Sequence, residues 1–179
     1  MKKEVALGID IGGTNTVFGF IDREGNYLAE GNIPTAKHED ITDYLKELNL
    51  EIDKVLDTIR SEVTLIGIGI GAPNGNYYKG TIDFAPNLPW HDVIPLCDLV
   101  KEFYPELPVY LTNDANAAAI GEMVYGGAQG MKDFIMVTLG TGLGSGFVAN
   151  GELIYGHDGF AGELGHIIVS PNGRQCGCG

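Results

Sequence analysis

An α/β protein built from a repeated unit is the fold class this sequence predicts, on three observations. Apolar runs of strand length end in glycine or polar turns at Val5-Ala6-Leu7-Gly8-Ile9-Asp10, at Thr16-Val17-Phe18-Gly19-Phe20-Ile21 and over 27–33. One long segment, 41–60, instead spaces its apolar residues by three and four. Past residue 130 the opening pattern starts again. Phe134-Ile135-Met136-Val137-Thr138-Leu139 runs into Gly140-Thr141-Gly142, as the first run does into Gly12-Gly13-Thr14.

The first three runs are joined by short polar connections, which favour an antiparallel meander. In the helix over 41–60, Ile41, Tyr44, Leu45, Leu48, Ile52, Val55, Leu56 and Ile59 share a face, and Asp40 or Thr42 can cap it. A buried strand over 65–70 ends at Gly71-Ala72-Pro73, and a loop rich in Gly, Asn and Pro follows over 74–90. A helix over 94–103, a strand over 109–112 and a helix over 115–125 complete the first unit. The second unit has strands over 134–139 and 144–149, a turn at Asn150-Gly151 into 152–155, and Ile167-Ile168-Val169 as third strand. The boundary falls near 113–130. This places 1–113 in a first, small domain and 114–179 in the start of a second, large one. That second unit lacks its helices, so it reads as incomplete, with an uncovered sheet face.

Composition narrows the function classes. Lys+Arg 11 against Asp+Glu 24 gives −13, with no basic stripe for nucleic acid. No apolar stretch reaches the ~20 residues of a bilayer span, and the N-terminus has no signal-peptide pattern. Three cysteines make no disulfide framework, so the expected compartment is the cytoplasm. Glycine is over-used, 27 in all, at roughly twice the average frequency, and clusters in loops after apolar runs, where backbone approaches something closely.

Those loops hold the candidate chemistry. In Asp10-Ile11-Gly12-Gly13-Thr14, the glycines allow a sharp turn and present N–H groups to an anion, Thr14 adds a hydroxyl, and Asp10 can hold a hydrated Mg²⁺ over phosphates. A plain hairpin turn is the other reading. No Gly-Lys-Ser/Thr follows, and the next element is a strand, so this is no Walker loop. Thr138, Gly140, Thr141 and Gly142 form a second such hairpin at the equivalent position, and a pair can clamp a triphosphate from both sides. In Asn113-Asp114-Ala115-Asn116, Asp114 is either the cap of the following helix or a carboxylate that accepts a hydroxyl proton during phosphoryl transfer. Asn113 beside it can orient a sugar through donor and acceptor bonds. Glu163-Leu164-Gly165-His166 and Cys176-Gly177-Cys178 supply three zinc-like ligands, His166, Cys176 and Cys178, one short of a closed structural site. Cys97 reads as a small buried hydrophobe, and His38, His91 and His157 as surface or loop residues.

Taken together and in this order, these five motifs resemble the ROK proteins, a group of bacterial glucokinases, related hexose and N-acetylhexosamine kinases, and sugar-responsive repressors. Gly71-Ala72-Pro73-Asn74-Gly75-Asn76 and Ala85-Pro86-Asn87-Leu88-Pro89-Trp90 also look like the sugar-side loops of its glucokinase members. The resemblance implies an actin/hexokinase-like (ribonuclease H-like) ATPase fold whose two domains close on ATP and a hexose. It makes Asp114 the base toward a sugar hydroxyl, most often the 6-hydroxyl, with Asn87, Asn113, Glu163 and His166 on other hydroxyls. It implies zinc at His166, Cys176 and Cys178, and a homo-oligomer, dimer or tetramer. The family pattern continues beyond residue 179 to a third cysteine, a sugar-contacting glutamate and the adenosine site, so the chain reads as an N-terminal portion. Its leading function is ATP-dependent hexose phosphorylation, glucose first. The alternatives are a sugar-sensing repressor, for which 10 residues and an acidic surface leave little room, and a sugar-binding portion without activity.

Overall fold

The computed structural model describes residues 2–140 and 142–175. Strands β1 (Lys3–Ile11), β2 (Asn15–Asp22) and β3 (Tyr27–Pro34) form the expected antiparallel meander. Helix α1 (Ile41–Ile59) then crosses over to β4 (Val63–Ala72), which runs parallel to β1. A second crossover contains α2 (Leu96–Lys101) and leads to β8 (Val109–Asn113), parallel to β4. The five-stranded sheet has the order β3-β2-β1-β4-β8. Three parallel strands therefore end side by side, the place where open α/β sheets bind ligands.

Alternation builds the core. Leu7, Ile9 and Ile11 of β1 and Phe18 and Phe20 of β2 are buried, as are Tyr44, Leu45, Leu48, Ile52 and Leu56 of α1, its one apolar face. Each such side chain contributes roughly 1.5–3 kcal/mol by burial. Asp40 is the cap of α1: its carboxylate accepts from the N–H groups of Thr42 (2.7 Å) and Asp43 (3.1 Å), so Thr42 lies inside the helix.

Helix α3 (Asp114–Tyr125) leads on to β9 (Phe134–Leu139), β10 (Leu143–Ala149) and β11 (Glu152–Leu153), a three-stranded antiparallel sheet. Ala115 and Ala119 of α3 lie on Gly144 and Gly146 of β10; a Cβ on Gly146 would stand 2.7 Å from that of Ala119. The opposite face of β9, with Ile135, Val137 and Leu139, is exposed. Asn150 and Gly151 both take positive φ (56° and 81°), the backbone of the tight hairpin their sequence announces.

The sequence expectations fail at three places. The 74–90 loop contains two strands of a second small sheet: β5 (Gly75–Asn76) and β6 (Thr81–Asp83) pair with each other, and β7 (Val93–Ile94) joins β6. The helix expected over 94–103 starts only at Leu96, because Pro95 excludes the helical conformation for Ile94 before it. Ile167-Ile168-Val169 is not a strand. These residues pair with no strand among the described residues, and Val169 is 92% exposed, since apolar composition alone cannot supply a ladder partner. His38, read as a surface or loop residue, lies in the loop before α1 and is buried edge-on to Tyr44, with Nε2 3.1 Å from Glu47. Cys97 is buried as expected, and burial pushes its thiol pKa up.

Candidate active site

At the carboxyl ends of the parallel strands Asp10 pairs with Gly71, Gly71 with Thr112, and Ala72 with Asn113. Gly71 keeps this row open. A Cβ there would meet Ala117 at 3.3 Å, the Asp114 Cα at 3.7 Å and Asp10 Oδ1 at 3.9 Å. Any side chain would therefore fill the gap between the two carboxylates. The sequence reading gave Gly71 only as the strand end that opens a loop resembling the family's sugar-side loops; the signal for its spacing role was a glycine closing a buried run, at the same level as Asp10.

Asp10 opens onto solvent, yet the protein around it and, second, the negative charge of Asp114 hold its carboxyl above the ordinary value. Glu163 is also pushed up. Burial is the larger cause, His166 opposes it, and Asp114 adds to it. The Glu163 and His166 side chains are 3.9 Å apart. Asp10, Asp114, Glu163 and His166, scattered in sequence, thus share one electrostatic neighbourhood. It carries more carboxylate than its single histidine offsets, which suits a cation and hydroxyl donors.

The cap of α3 is Asn113, whose Oδ1 accepts from the Ala115 N–H (2.9 Å), where the sequence allowed Asp114 that role. Asp114 is the first helical residue, and its Oδ1 accepts from the same N–H (2.8 Å). The division separates the two readings by atom. The Asp114 Oδ2 keeps no bond among the described residues, while the Asn113 amide is left to recognise a ligand through its NH₂ donors.

Both glycine-threonine hairpins reach the start of α3. The first does so through Asp10. Its Gly12 N–H is spent on the Asn15 carbonyl (3.0 Å), and a Cβ on Gly12 would stand 2.9 Å from that oxygen, so Gly12 offers close approach rather than a donor; the N–H groups of Gly13 and Thr14 have no acceptor among the described residues. The Thr14 carbonyl accepts from Thr35 and Ala36, which anchors the hairpin below. Gly13 lies directly on the Asn87 carbonyl, where a Cβ would be 2.4 Å from the oxygen, so the sugar-side loop is seated on this hairpin. The second hairpin presents Thr138 beside Gly144 and Ala115, with the Gly140 N–H donating to the Gly142 carbonyl. Thr141 lies outside the described residues. So do Cys176 and Cys178, and of the expected zinc ligands only His166 is described; among the described residues no three His, Cys, Asp or Glu are grouped to hold a metal ion.

The mixed sheet with its hairpin at the ends of three parallel strands is an actin/hexokinase-like fold. Within that class, the ROK family model matches residues 6–179, and the chain belongs to the ROK family. It is 42% identical over 176 residues to a glucokinase of Halalkalibacterium halodurans, covering 97% of this chain and 53% of that protein. A xylose repressor of Bacillus subtilis is 34% identical over 185 residues, 99% of this chain and 46% of its own length. The crystal structure of a ROK family glucokinase from Streptomyces griseus in complex with glucose and AMPPNP superposes with a TM-score of 0.78 at 38% identity, over 98% of this chain and 54% of that one. The chain spans about half the length of the curated relatives it matches.

Proposed function

We propose that the protein to which this chain belongs transfers the γ-phosphoryl group of ATP to a hexose, glucose at its 6-hydroxyl first. One observation carries the reading: Asp10 and Asp114 meet at the space Gly71 leaves open, Glu163 feels the charge of Asp114, and a glycine-threonine hairpin from each unit reaches the start of α3. The glucokinase relatives and the glucose complex of the Streptomyces griseus enzyme support it. Asp114, through Oδ2, takes the hydroxyl proton as the sugar oxygen bonds to the γ-phosphorus and the bond to the β,γ-bridging oxygen breaks, releasing ADP. Asn87, Asn113, Glu163 and His166 hold the other hydroxyls. Gly13 and Thr14 hold the phosphates from one side, in a turn that Gly12 shapes, and Thr138, Gly140, Thr141 and Gly142 hold them from the other. Two neighbouring carboxylates without a lysine or arginine partner among the described residues fit a cation, so Asp10 would hold a hydrated Mg²⁺, which neutralises charge on the phosphates. Zinc would take His166, Cys176 and Cys178 in a structural role, with no step routed through it. The sheets belong to two domains divided at Asn113/Asp114, in a cytoplasmic homo-oligomer; no helix among the described residues is long and apolar enough to cross a membrane.

A second reading, a sugar-responsive repressor, draws on the xylose repressor relatives. A coupled ADP-release assay over a hexose panel, run beside a sugar-dependent mobility shift with operator DNA at physiological salt, separates the two. ADP release with at least one hexose supports the kinase; DNA retention relieved by sugar, without ADP release, supports the repressor.

A further inference from the structure

Asn76 is completely buried (0% exposed), although it sits in a two-residue strand. Burying an amide is costly unless it is bonded, and this one is used at both ends. Its Oδ1 accepts from the N–H groups of Tyr78 (3.1 Å) and Lys79 (3.2 Å), which closes the local turn. Its Nδ2 donates over 2.9 Å to the Asp158 carbonyl, 82 residues further along the chain. Gly159, at φ 88°, fits against the same side chain; a Cβ there would be 2.9 Å from Oδ1. Next to Asn76, Tyr77 stacks on Tyr155 with ring centroids 4.2 Å apart and planes 12° from parallel.

These contacts grip one segment. Residues 154–163 have no regular secondary structure, and only a 3₁₀ turn, Leu164–His166, follows. Ser145 fastens the segment from β10: its hydroxyl donates to the Gly162 carbonyl and accepts from the Leu164 N–H (3.2 Å). The other fastening comes from Asn76 and Tyr77, in the small sheet inserted after β4. We propose that Asn76, supported by Tyr77, is a positioning residue that ties the 155–166 segment across the cleft and so presets Glu163 and His166 against Asp114. Its role toward a sugar rests on the hexose reading above; the tie itself does not.

The two parts have separate readouts. Asn76→Asp keeps the acceptor for Tyr78 and Lys79 but puts an oxygen where the donor to Asp158 stood. Backbone amide exchange is measured on the full chain without ligand, followed by calorimetric titration with glucose. Loss of one buried charge-free tie is worth about a tenfold change. Exchange over 158–166 should quicken by about that factor with β1 and β4 unchanged, and glucose should bind about tenfold more weakly. Unaltered exchange over 158–166 overturns the tie, and faster exchange with unaltered glucose affinity overturns its positioning role. If Asn76→Asp loosens the whole chain, Tyr77→Leu, at a partly exposed ring, carries the same comparison with the same two overturning results. If the parent chain binds no glucose, mannose or galactose, the hexose reading fails while the exchange data still decide the tie.

Discussion

Replacing Gly13 by alanine tests whether the phosphate hairpin and the Asn87 loop are built as one unit. The backbone at Gly13 lies outside the left-handed region, so alanine meets no conformational penalty there. The penalty is steric. The new Cβ would stand 2.4 Å from the Asn87 carbonyl oxygen and 3.4 Å from its carbon, with the nearer contact about 1 Å inside van der Waals distance. Both partners are main chain, so no side chain can swing away. Overpacking of this kind costs about 1–3 kcal/mol, and reduced freedom of the unfolded chain returns about 0.4–1 kcal/mol. The net loss is about 1–2 kcal/mol, or about 2–8 °C in Tm for a chain of this size. Circular dichroism gives Tm, and the emission of Trp90, the sole tryptophan, reports on the Asn87 loop itself. Gly69→Ala is the control, since nothing lies within 4 Å of its added Cβ. A Gly13→Ala chain melting at or above the parent, with unshifted Trp90 emission, would refute the reasoning.

Three further outcomes follow from the same geometry. Thr16→Val removes the centre of a buried hydroxyl chain, Thr35 at 2.8 Å and Tyr44 at 2.7 Å, and should cost about 1–3 kcal/mol in urea unfolding because two buried hydroxyls lose their partner. Asn113→Ala should cost only about 0.5 kcal/mol, the low end for a lost cap, since Asp114 Oδ1 still accepts from the Ala115 N–H. Asp10→Asn should raise Tm at neutral pH. The native state holds the Asp10 proton more tightly than the unfolded chain, so this carboxyl costs nothing below its ordinary value of 3.8 and destabilises as pH rises through the window above it. The Tm gain should therefore shrink as pH falls toward 3.8, and an equal gain at all pH values contradicts a carboxyl raised by burial and, second, by Asp114.

The features legible in the sequence were those with local causes. Alternation in Val5–Ile11 and Thr16–Phe20, the three-and-four spacing from Ile41 to Ile59, and Asn150-Gly151 each name their own backbone. The motif residues Asp10, Asp114, Glu163 and His166 were visible one by one, but the meeting of Asp10 with Asp114 depends on the parallel register of β1, β4 and β8, and the placement of Glu163 and His166 on the fastening of the 155–166 segment. Strands of two and three residues, such as Gly75–Asn76 and Thr81–Asp83, are too short to show a period. Ile167-Ile168-Val169 looked like a strand because its composition is right, and only the absence of a neighbour among the described residues shows otherwise. Gly71 and Asn76 were legible only as the ends of a loop resembling the family's sugar-side loops, and their long-range contacts were unreadable for a related reason. An asparagine in a loop and a glycine at a strand end are ordinary until a distant carbonyl or carboxylate is found beside them.

The central claim is that Asp114 receives the sugar hydroxyl's proton in a cleft that otherwise works by positioning. The most direct measurement is steady-state turnover of Asp114→Asn with Mg-ATP and the preferred hexose, set beside hexose affinity by calorimetry. The account expects kcat to fall by about 10²–10⁴ while hexose binding is retained. Turnover equal to that of the parent protein would contradict it.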